Sequence, residues 1–119
     1  MPTSQEKSSR QPVDSLGSFE QWLLTAVMTL GPNRAYGMTI HEEVERLSKR
    51  PIVSLGAIYT VIDRLEKKGF VTSKFADATT DRGGRPRRYV EITAAGQRAL
   101  HYALDQAAAM TAALRPAEA

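Results

Sequence analysis

The 119-residue chain contains no cysteine. Disulfides, thiolate nucleophiles and thiolate metal ligands are thereby excluded, and the absence suits a reducing compartment. Only two histidines are present, His41 and His101. No apolar run approaches the roughly 20 residues of a membrane span. The opening MPTSQEKSSRQPVDS has no apolar signal core. A cytoplasmic location without membrane contact is expected. No glycine-rich loop opens a helix after a strand: GGRP at 83–86 sits between two strand-like runs, so it is no nucleotide loop. Without a nucleophile pair, a ligand cluster or a phosphate loop, neither an enzyme nor a cofactor is expected. His41 and Glu45, four apart, offer two metal ligands at helical spacing, a pattern also common on exposed helix faces.

Against these absences stands a basic middle. The net charge is +3, but residues 46–88 hold eleven Lys/Arg against four Asp/Glu, a net of +7, and the remainder carries −4. A basic centre with acidic flanks fits a polyanion-binding surface better than uniform solubilising charge. A solvated basic face with no partner is the plainer alternative. The length suits one domain with an appended element, and residues 1–14, polar and rich in serine, read as a disordered tail.

SFEQWLLTAVMTLGP has apolar residues at Phe19, Trp22, Leu23, Ala26, Val27 and Leu30, the stripe of an amphipathic helix. Ser18 with Gln21 suggests a capping box, and Gly31-Pro32 ends the helix. A second helix over about 37–49 places Met38, Ile40, Val44 and Leu47 inward. A third runs from an N-cap at Ser54 to Lys68, with Gly69 closing it. Leu55, Ile58, Tyr59, Ile62 and Leu65 form its core face. Ser54, Gly56, Ala57 and Thr60 then make a small, neutral outer surface near its start, and Arg64 and Lys67 follow. Small residues let a helix approach base edges, and Ala or Thr suits a thymine methyl.

FVTSKF at 70–75 and RRYVEI at 87–92 read as strands. The eleven residues between them, ADATTDRGGRP, predict a hairpin with a long tip. Arg82, Arg85, Arg87 and Arg88 decorate the tip and the returning arm. Arginine pairs with phosphates and enters narrow minor grooves, and glycine permits close backbone approach. Three helices followed by a hairpin is the winged variant of helix-turn-helix, a mainly α (α+β) fold. The winged domain is expected over 15–93. Thr93 then caps a helix over 94–115, on which Leu100, Leu104, Ala107, Thr111 and Leu114 recur at helical spacing. A small winged domain leaves such a helix little core to cover, so the economical partner is a second subunit. Trp22 is placed with this dimer interface.

Over about residues 16–104 the sequence resembles the PadR-like transcriptional regulators. The resemblance rests on LTAVMTLGPNRAYGMTIHEEVE, SLGAIYTVIDRLEKKGFV and GGRPRRYVEITAAGQRAL together. Two departures stand out: Ile58-Tyr59-Thr60 where the family often has Leu-Tyr-Pro, and Val90 where a second tyrosine is common. The resemblance implies a homodimeric repressor whose third helix and wing grip a palindromic operator in double-stranded DNA. Tyr59 matches a family tyrosine often placed at the DNA face; a tyrosine can bury its ring and still present its hydroxyl. Arg85, Arg87 and Arg88 match the basic wing. The short type has one C-terminal helix, which packs with the first helix of the other subunit. Some members bind planar hydrophobic or phenolic compounds between subunits, and Trp22, Leu23 and Met110 are the candidate lining here. A winged-helix module that uses its basic wing on an acidic protein partner stays open as the alternative.

Overall fold

Glycine and proline punctuate the chain where the backbone must turn, and the elements fall between them. A computed structural model describes residues 16–51, 54–76 and 86–115. The N-terminal tail and most of the hairpin tip expected from the sequence, including Arg82 and Arg85, lie outside the described residues.

Helix α1 spans Ser18–Leu30. Its start is not the Ser18/Gln21 box expected from sequence. Gly17 is the N-cap, and its N–H donates to the Glu20 carboxylate at 2.9 Å. Gln21 instead donates through Nε2 to the Leu16 carbonyl. Helix α2 spans Gly37–Ser48, and Lys49 closes it in the left-handed region at φ 60°. Helix α3 spans Leu55–Lys67, with the Ser54 hydroxyl accepting from the Ala57 N–H at 3.1 Å. At its end the Phe70 N–H donates to the Leu65 carbonyl and the Gly69 N–H to that of Glu66. This paired closure requires a positive φ at its turning residue, and Gly69 supplies φ +83°.

Strands β1 (Val71–Phe75) and β2 (Arg88–Ile92) pair antiparallel, Val71 opposite Ile92 and Phe75 opposite Arg88. A bridge from Tyr36 to Tyr89 adds the chain before α2 to the outer side of β2, and the Val90 N–H donates to the Ala35 carbonyl. Helix α4 spans Ala94–Leu114, capped by the Thr93 hydroxyl accepting from the Gly96 N–H.

The core collects one face from every element: Leu23, Leu24 and Val27 of α1, Ile40 and Val44 of α2, Ile58, Ile62 and Leu65 of α3, Val71 and Val90 of the hairpin, and Ala99 and Leu100 of α4. Met38, expected inward, is exposed at the first turn of α2, and Val61, outside the core face expected for α3, is buried. Gly96 lies so close to the Phe70 carbonyl that a β-carbon there would collide with it. That approach seats the root of α4 on the turn between α3 and β1.

Candidate nucleic-acid interface

Helix α3 divides its surface into three stripes. Ile58, Val61, Ile62 and Leu65 face the core. Ala57, Thr60, Arg64 and Lys67, at spacings of three and four, run along the outer side; Thr60, Arg64 and Lys67 are exposed and Ala57 is half-buried. Tyr59, Asp63 and Glu66 make a third stripe along the flank.

The outer stripe is small at its start and basic at its end. Gly56 is exposed there. The Thr60 hydroxyl donates to the Gly56 carbonyl at 3.0 Å. Its hydrogen is therefore used within the helix, which leaves an oxygen lone pair and the methyl as the groups it offers outward. The Ser54 hydroxyl is similarly occupied as an acceptor by its capping bond, with its own hydrogen still to donate. Arg64 is half-exposed and lies 3.9 Å from Glu20.

The flank stripe was only partly legible. Tyr59 packs against Gly37, and its phenol end occupies the space a side chain at position 37 would need. Its ring is thus half-buried at the start of α2, beside the core as the sequence pattern implied. Asp63 and Glu66 face the wing. Arg88 donates through Nη2 to Asp63 at 2.9 Å and to Glu66 at 2.7 Å, and through Nε to the Ser73 hydroxyl at 3.0 Å. Burial pulls the Arg88 pKa down, but the hydrogen bonds and charges of Asp63 and Glu66 more than reverse this and hold it above the ordinary arginine value. The sequence grouped Arg88 with the nucleic-acid contacts. In the structure its guanidinium turns back to its own chain, because the β2 alternation places residue 88 on the same face as buried Val90.

Arg87, one residue earlier, projects to the other side. Its guanidinium lies 4.3 Å from the centre of the Tyr36 ring, and it donates to the Tyr89 hydroxyl at 3.4 Å. Tyr36 and Tyr89 meet edge to face, with centroids 5.4 Å apart. Cation–π and ring contacts of this kind hold a long arginine in one direction at the wing root. Arg87 is exposed.

The residues expected at a subunit interface divide at Leu100. Leu100 itself is 2% exposed and belongs to the core of its own chain, because the first turns of α4 cover the hairpin root. Beyond it Leu104, Ala107, Thr111 and Leu114 are exposed, Leu114 at 84%. Trp22 on α1 is 40% exposed. Of the residues expected to line a ligand space, Leu23 is fully buried inside α1's core face and Met110 stands exposed on the projecting part of α4. Trp22 borders a cavity. That cavity, about 320 Å³, opens between α1, the end of α2 and the start of α3, and Phe19, Val44, Arg50, Pro51 and Ala57 line it with Trp22. His41 lies 3.9 Å from Glu45, and no cluster of three metal-ligating side chains occurs among the described residues.

The sequence profile described as the transcriptional regulator PadR-like family matches residues 26–102. Solved structures share the fold. A chain of the hsRosR-S4 complex superposes with a TM-score of 0.64 at 23% identity, over 92% of this chain and 83% of that one. A PadR-like transcription factor from Bacteroides fragilis gives 0.63 at 16% identity, over 94% and 93%. A PadR family transcriptional regulator from Eggerthella lenta gives 0.60 at 23% identity, over 77% and 76%. No curated protein matches the chain.

Proposed function

The chain belongs to the PadR-like family of transcriptional regulators, and from that membership we propose that it is a homodimeric repressor that binds a palindromic DNA operator. Such a protein acts by occupying its site, and no catalytic chemistry is asked of it. The observation that carries the reading is the outer stripe of α3. It presents Ala57 and Thr60, small enough to lie against base edges, in line with Arg64 and Lys67, which supply charge for the phosphates. Ser54 and the Tyr59 hydroxyl sit at the start of the same helix. Arg87, with Arg82 and Arg85 of the wing, supplies the second grip, on the backbone or in the minor groove.

The dimer is supported by α4. At about 1.5 Å per residue this 21-residue helix is roughly 30 Å long. Among the described residues, only its first turns pack on the rest of the chain. Its uncovered stretch, 104–114, is shorter than the roughly 12–15 residues below which a helix alone is marginal in water, and its stripe of Leu104, Ala107, Thr111 and Leu114, with Trp22, gives a second copy an apolar seam to cover.

Release by a small hydrophobic effector is supported by the cavity beside Trp22. Ala57 of the outer stripe is part of its wall, so an occupant would press on the helix that reads DNA. Trp22 is the only tryptophan, which makes its fluorescence a direct reporter of that cavity. Titration with a phenolic compound should change the emission and weaken DNA binding together; emission without any change in DNA affinity would separate the cavity from regulation.

Fluorescence anisotropy of the purified protein on the duplex upstream of its own gene, at several salt concentrations and against scrambled competitor, tests the main proposal. Competitor-resistant binding at two protomers per site is expected, with log K falling linearly against log salt. Absence of binding even at low salt would sink it and favour a wing that docks on an acidic protein.

A further inference from the structure

We propose that Arg88 is a positioning residue that sets the angle of the wing against α3 and does not itself contact DNA. This rests on the DNA-binding reading above. The inner face of the hairpin changes character along its length. At the base it is apolar, with Val71, Val90 and Ile92 packed on the core. Then polar groups take over: Ser73 stands opposite Val90, and Arg88 follows one step further out. Arg88 is only 18% exposed and reaches two carboxylates one helical turn apart, Asp63 and Glu66. The Ser73 hydroxyl closes the lattice by donating to Glu66 at 3.3 Å while accepting from Arg88. Both strands and the helix are thereby tied at one point.

That point is where direction matters most. Phe75–Arg88 is the outermost paired position of the described ladder, with one further bond beyond it, from the Ala76 N–H to the Arg87 carbonyl. A rotation there would swing everything beyond it. Charge argues the same way. If Arg88 left to grip a phosphate, Asp63 and Glu66 would remain uncompensated on the flank of the reading helix and would repel the same DNA. Seated between them, the guanidinium both neutralises the flank and fixes the hairpin.

The test compares the full-length wild type with Arg88→Gln and with the double variant Asp63→Asn, Glu66→Gln. Affinity for the upstream duplex is measured across a salt series, and backbone amide exchange of β1 and β2 is measured in the protein without DNA. A positioning role predicts a roughly tenfold loss of affinity in Arg88→Gln with an unchanged salt slope, and faster exchange at Ala76, whose N–H crosses to the Arg87 carbonyl at 2.8 Å. The acid double variant should lose affinity too, although it removes two negative charges near DNA. A slope that falls by about one unit in Arg88→Gln would identify a phosphate contact and overturn the proposal. So would tighter DNA binding by the double variant, because that would mean the acids merely restrain a contacting arginine. Should the wild type bind no DNA, the functional reading falls, and exchange in the free protein still decides this one: unchanged protection in both variants refutes the tie.

Discussion

The ammonium of Lys68 lies 3.0 and 3.1 Å from the two oxygens of Glu20, a residue 48 positions earlier and only 4% exposed. Glu20 also accepts from the Gly17 N–H, so one carboxylate caps α1 and anchors the end of α3. Removing the cation leaves a buried carboxylate short of a charged partner. Lys68→Ala should therefore cost about 1.5–3 kcal/mol in urea denaturation. Arg64→Ala, removing a half-exposed cation 3.9 Å from the same group, should cost under about 1 kcal/mol. Equal losses would mean that the pair is no tighter than a surface contact.

Two glycines should respond to alanine with opposite signs. Gly96→Ala drives a β-carbon into the Phe70 carbonyl and the Ile92 side chain. The helix-propensity gain of about 1 kcal/mol does not offset a backbone collision, and a net loss of about 1–3 kcal/mol is expected. Among the described residues, Gly56→Ala meets only the Ser54 hydroxyl, at an ordinary 3.7 Å. It should stabilise α3 by up to about 1 kcal/mol. Thermal unfolding of both variants reads the contrast directly.

A chain ending at Ala103 keeps Ala99, Leu100 and Ala103, the part of α4 that covers its own core. It should unfold cooperatively yet sediment as a monomer. A dimer from that chain would place the subunit interface elsewhere.

Thr60 separates two ways of reading a base. Because its hydroxyl hydrogen is bound to the Gly56 carbonyl, the methyl is the group that would meet a thymine. Thr60→Val keeps that methyl and should preserve sequence preference. Thr60→Ala removes it and should flatten the preference at one position by about 1–3 kcal/mol. Competition with single-base-substituted duplexes measures both. Val behaving like Ala would implicate the hydroxyl oxygen instead.

Much of this architecture could be read from the sequence because its signals are local. Gly31-Pro32 and Gly69 end helices whose apolar stripes are periodic, Ser54 and Thr93 are caps of the ordinary type, and the two β-rich runs flank a glycine-containing loop. What escaped depends on distant partners. Alternation predicts that residue 88 shares a face with Val90, but not that carboxylates 22 and 25 positions earlier wait on that face. The Glu20–Lys68 pair is invisible for the same reason, and a glutamate three residues before buried Leu23 reads as surface. The spacing groups Leu100 with Leu104 and so with the partner subunit. The stripe is continuous in sequence, and only the packing of the hairpin root shows where its lower end is already covered.

Thr93 donates its N–H to the Phe70 carbonyl at 2.9 Å and its hydroxyl to the Gly69 carbonyl at 2.8 Å, while Gly96 rests on that same turn. Helix α4 is thus a cantilever bolted to the tail of α3. Its free length multiplies any movement at the bolt: a tilt of about 5° shifts the far end of a ~30 Å arm by roughly 2–3 Å. Leverage of this kind runs in both directions. In the proposed dimer, with the free ends of two such arms fastened together, a tilt at either bolt would change the spacing of the two heads.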